Sequence, residues 1–120
     1  KDIIDHAITL GEDCIEYLIR YTHFNPDFPN NHNIYLPDRK HEFVRVFREN
    51  EWTNCARKTT VYQLIDDTFA TLEYWVDNHP AYRFKVSEYL KKRLNTTCMS
   101  NLYFQILKLI HRSKDVIDIQ

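Results

Sequence analysis

Histidines and asparagines crowd one short stretch of this chain. His23, Asn25, Asn31, His32 and Asn33 lie within a segment that also holds Pro26 and Pro29. Such a set offers hydrogen-bond donors and acceptors for a polar pocket, a partner contact, or, with His41, a metal site. Asparagine amides in irregular chain also satisfy backbone groups through Asx turns, which gives the same segment a structural role. His ligands normally come with thiolates or carboxylates at short spacing. The even nine-residue steps from His23 to His32 to His41 lack that pattern, so no metal and no cofactor is expected. Asn31 and Asn33 are expected to cap free backbone groups in the turn before the Ile34 strand.

Other catalytic constellations are thin. Asp66 and Asp67 are neighbours on a helix and point apart. Cys14 sits in an acidic stretch that disfavours a thiolate, whereas Cys98 lies near Lys91, Lys92 and Arg93. Cys98 serves equally as a small apolar residue at a helix junction. A nuclease of the ββα-metal kind also sets His and Asn beside a hairpin, but here the loop precedes the hairpin and the helix after it offers no obvious second ligand except His79 at its end. With one glycine in 120 residues, neither a dinucleotide fingerprint nor a phosphate-binding loop can be written. The chain therefore reads as a non-enzymatic module.

Charge is unevenly laid out. Residues 1–77 carry eight basic and fourteen acidic side chains, and residues 83–114 carry eight basic and one acidic. The basic segment includes Arg83, Lys85, Lys91, Lys92 and Arg93, interleaved with Phe84 and Tyr89. It could follow a nucleic-acid backbone, or meet the acidic half of another copy. Lys91, Lys92 and Arg93 are expected to face water. The net charge of −1 gives little long-range pull on DNA, which favours protein contact and self-association.

The elements that must position these residues follow from periodicity. Ile3, Ile4, Ala7, Ile8, Ile15, Leu18 and Ile19 repeat as in a helix, with a bend or break at Gly11 and an end near His23. Ile34–Leu36, Phe43–Phe47 and Trp52–Cys55 read as three short strands of an antiparallel meander. A turn over Arg48–Glu51 joins the last two. Thr60 and Gln63 form a candidate capping box for a helix whose apolar face runs from Val61 to Val76. Asn78-His79-Pro80 ends that helix and starts another, faced by Tyr82, Val86, Tyr89, Leu90 and Leu94. After Asn95 a last helix carries Met99, Leu102, Tyr103, Ile106, Leu109 and Ile110. The expectation is an α+β fold, with a three-stranded meander between an N-terminal helix and about three C-terminal helices.

The length suits one domain over residues 1–120, and a start at Lys1 suggests excision from a longer chain. Aromatic side chains make up 14%, which argues against disorder. No apolar run approaches the roughly 18 residues of a membrane span. Three widely spaced cysteines suggest reduced thiols inside a cell.

The string His23-Phe24-Asn25-Pro26-x-x-Pro29-x-Asn31-His32-Asn33-Ile34 is followed by the Phe43–Phe47 strand, Trp52 and a helix with Asp66-Asp67. Together these resemble an uncharacterised domain of large nucleocytoplasmic (giant) DNA virus proteins, which typically lies C-terminal to zinc-finger or other short modules. The resemblance covers roughly residues 15–78. It departs at Arg48-Glu49-Asn50, where an Asp-Gly-like turn is expected. It implies a viral protein of the infected cell's cytoplasm or nucleus, or of the virion, and implies no mechanism.

Overall fold

The computed structural model describes residues 2–25, 27, 33–36 and 40–113. Helices α1 (Asp2–Thr9) and α2 (Cys14–His23) come first, followed by strands β1 (Ile34–Tyr35), β2 (Phe43–Arg48) and β3 (Glu51–Ala56). Helices α3 (Arg57–Asp77), α4 (Arg83–Lys91) and α5 (Thr96–Arg112) complete the chain. The strands pair antiparallel in the order β1-β2-β3. This is the expected α+β arrangement.

The N-terminal helix does break at Gly11, whose φ of +62° suits a residue without a Cβ. A 3₁₀ turn over Gly11–Asp13 then leads into α2. The break leaves carbonyls at the end of α1 without helical partners. Tyr89 of α4 supplies one, its hydroxyl donating to the Ile8 carbonyl at 2.6 Å in a buried setting. Tyr82 holds α1 from the other end of α4: its hydroxyl is hydrogen-bonded to Asp5, which pushes the phenol pKa up.

The β2–β3 hairpin turns through Glu49 and Asn50, both at positive φ (53° and 67°). That is the type I′ geometry whose twist matches paired strands and which Asn-Gly normally supplies. Here two residues with side chains occupy it. Register then places Val44 opposite Cys55 and Val46 opposite Thr53, on the face that meets the helices.

Helix α3 starts earlier than the sequence suggests. It begins at Arg57, directly after β3, so Thr60 and Gln63 lie inside the helix and form no capping box. Gln63 donates instead to Asp67 at 2.8 Å. Long-range anchors replace the missing cap. The Arg57 N–H donates to the Glu42 carbonyl at 2.9 Å. The Arg57 guanidinium donates to the His41 carbonyl (2.9 Å) and to the Tyr103 hydroxyl (3.1 Å). One residue thus ties the base of the hairpin, the start of α3 and the middle of α5.

The core lies where these elements converge. Ile8, Ile19, Leu36, Val44, Ile65, Phe69, Leu72, Ile106 and Ile110 are almost wholly withdrawn from water. Asn95 caps α5 by accepting from the Cys98 N–H at 2.9 Å. The apolar face expected on α4 is shorter than its sequence implies. Val86 and Tyr89 are buried, but Leu94 is 90% exposed, because the helix tightens into a 3₁₀ turn over Lys92–Leu94 and turns that side chain outward.

Candidate functional site

The His/Asn segment lies at the end of α2 and the start of β1. His23 and Asn33 are brought together there: His23 Nδ1 lies 3.2 Å from Asn33 Oδ1, and with Nδ1 protonated the ring donates to the amide. Asn33 thus joins a helix end to a strand start through a side-chain pair, not through the backbone capping expected of it. Asn25 does act on the backbone, its Oδ1 accepting from the Asp27 N–H at 2.9 Å in an Asx turn. Asn31 and His32 lie outside the described residues. His41 is exposed and offers its carbonyl to Arg57. Among the described residues no three His, Cys, Asp or Glu side chains gather where a metal could sit. His79 is held elsewhere, stacked on Trp75 (centroids 4.0 Å apart) and donating to the Trp75 carbonyl at 2.9 Å.

The His23–Asn33 pair borders a cleft of about 620 Å³ between α1, α2, the sheet and α3. Its floor is aliphatic, with Ile4, Ile19, Ile34 and Leu64, and its rim carries Arg48 and Asp67. Sequence reading could not assemble this cleft, because its walls come from segments up to sixty-odd residues apart.

The basic segment is tied into the fold. Arg93 reaches back to α3, both terminal nitrogens 3.4 Å from the Glu73 carboxylate, with its guanidinium 5.6 Å from the Phe69 ring centre. Arg83 lies 3.9 Å from Asp77, and Lys91 3.1 Å from Glu88. Lys92 is half-buried, with its ammonium 5.6 Å from the Tyr89 ring centre. The expectation that Lys91, Lys92 and Arg93 all face water therefore holds for Lys91, not for Lys92, and only in part for Arg93. Lys85 is exposed. At the far end, Arg112 meets Glu16 of α2 at 3.1 Å, and Gln105 donates to the same carboxylate.

The acidic and basic halves of the chain thus meet inside one molecule, through Glu16–Arg112, Glu73–Arg93 and Asp77–Arg83. Sequence separations of 96 and 20 for the first two explain why the uneven charge looked unsatisfied.

Cysteine chemistry is muted. Burial pushes the Cys14 thiol up to about 11, offset in part by Lys92. Cys98 is half-buried at the first turn of α5.

The outer face of the sheet was not singled out from sequence. Phe43, Arg45 and Phe47 share the phase opposite to Val44 and Val46, and pair with Ala56, Asn54 and Trp52. Tyr35 lies across from Arg45 on the other side. Phe43 is 49% exposed and Phe47 41%. The period-two pattern of β2 carried this signal, but both of its faces are rich in large apolar groups and pattern alone does not choose between them.

No helix among the described residues is long and apolar enough to cross a membrane. Compared with known protein families, curated proteins and solved structures, the chain matches none.

Proposed function

We propose that this chain is a non-enzymatic assembly module whose copies meet through the surface of α4 and the turn that follows it. One observation carries the reading. Phe84 is 79% and Leu94 90% exposed, at the two ends of a segment that also bears Lys85 and Lys91, and Tyr74 on neighbouring α3 is 75% exposed. Single exposed apolar residues are ordinary, but several large ones on one helical hairpin are what an interface leaves bare in the free subunit. The Arg83–Asp77 and Arg93–Glu73 pairs connect both ends of this segment to α3.

Head-to-tail charge pairing between copies has less support, because the opposite charges already meet within the chain. The same pairing weakens the reading of 83–114 as a track for a nucleic-acid backbone. Of its seven described cations, Arg83, Lys91, Arg93 and Arg112 have carboxylate partners. The His23–Ile34 string supports a place among giant-virus proteins of the infected cell.

Sedimentation velocity across a concentration series tests the proposal. The parent should associate with rising concentration, and Phe84→Ser combined with Leu94→Ser should abolish this while the melting curve stays unchanged. A parent that sediments as a monomer at every concentration would overturn it.

A further inference from the structure

We propose that the outer face of the sheet is a stacking platform for single-stranded nucleic acid, with Phe43, Phe47 and Trp52 receiving unpaired bases and Arg45 an intervening phosphate. The register fixes the layout. Phe43 and Phe47 lie on the same side of β2 with Arg45 midway, about 7 Å from each along the strand. Trp52 lies across from Phe47, their ring centres 5.4 Å apart at 56°. Tyr35 braces Trp52 from the far side, edge-on at 6.4 Å. These ring contacts hold Phe47 and Trp52 in place before any ligand arrives, which lowers the ordering cost of binding.

Charge selects the occupant. The Arg45 side chain is exposed and makes no hydrogen bond or ion pair among the described residues. Among the described residues of the ladder no carboxylate shares its face, since Glu51 pairs with Arg48 in the opposite phase. A lone cation between aromatic rings, with no anion of its own, complements a ligand that alternates phosphates with flat π-faces. Unpaired bases offer those faces, and stacking on aromatic side chains is tolerant of sequence. A duplex keeps its bases stacked on one another and cannot offer them. An aliphatic protein surface would leave Arg45 desolvated without a partner. This site shares no residue with the α4 surface, so either proposal can fail alone.

The test uses the whole chain with a short oligothymidylate, an abasic oligomer of equal length and a duplex. Trp75 is buried, so quenching of tryptophan fluorescence on addition of oligothymidylate reports Trp52. Oligothymidylate should quench and bind, while the abasic oligomer and the duplex should not. Arg45→Ala and Phe47→Ser should each weaken binding roughly tenfold, with melting temperatures unchanged. Neutralising one phosphate of a single strand predicts a slope of log K against log salt near −0.7. Absence of binding, equal binding of the abasic oligomer, or a slope of about −2 with loss on Lys85→Glu would each overturn the proposal. So would sheet variants that change only self-association.

Discussion

The helical hairpin α3–α4 and the β2–β3 hairpin both carry charged and aromatic residues, yet they use them in opposite ways. On α3–α4 and the turn that follows, Arg83, Lys91 and Arg93 are matched by carboxylates, and apolar side chains are left in water. On the outer sheet face Trp52 packs against Phe47 and Tyr35, and the Arg45 guanidinium has no partner among the described residues. Charge on a sequence is therefore a poor guide to charge on offer. Arg93 looks available and is engaged by Glu73; Arg45 looks like one residue of an alternating strand and is open. What a side chain can do for a ligand is set by what the fold has not already asked of it.

The sharpest way to break this contrast is to cut the residue that joins the two hairpins. Arg57→Ala removes hydrogen bonds to Tyr103 and to the His41 carbonyl and should destabilise the fold by about 2–3 kcal/mol, as charged-donor bonds of this kind do. Urea denaturation measures it, and a loss below about 0.5 kcal/mol, the usual size for a surface change, would show that the junction does not depend on this residue. A smaller effect of opposite sign is expected at the hairpin turn. Glu49→Asn with Asn50→Gly supplies residues that accept the positive φ at both positions, and should stabilise by about 1 kcal/mol. An unchanged thermal midpoint would mean that the present turn carries no strain. Least of all should change on Phe43→Ser, whose side chain is half exposed. Its stability should stay within about 0.5 kcal/mol of the parent. A large loss in differential scanning calorimetry would mark the outer face as part of the core instead of a free surface.

Much of this fold was legible in advance because periodicity reports burial directly. The 3–4 spacing of Val61, Ile65, Phe69, Leu72 and Val76 placed α3's buried face, and all five are buried. Gly11 announced the break between α1 and α2, and Asn95 the start of α5. The first turn of α3 was misread because Thr60 and Gln63 have the residue types of a cap, while the actual start depends on partners in the loop before β2 and in α5. Leu94 was misread because a 3₁₀ turn shifts the phase of everything after it. The site was less legible than the fold. The His23–Asn33 pair joins two named members of the motif, but ion pairs across 20 and 96 residues, and the choice of which face of β2 meets the helices, are settled only by tertiary packing.

The direct passage from β3 into α3 has a consequence for how this chain can vary. Ala56 is the last residue of a ladder with period two, and Arg57 the first of a helix with period 3.6. The junction is a phase lock. One residue inserted within β3 sends every later strand side chain to the other face. One inserted early in α3 rotates the rest of the helix by about 100°, carrying Val61, Ile65 and Phe69 away from the core together. Length changes should therefore be rejected throughout residues 51–69, in a scan of single-residue insertions scored by protease resistance, even where each individual side chain tolerates replacement.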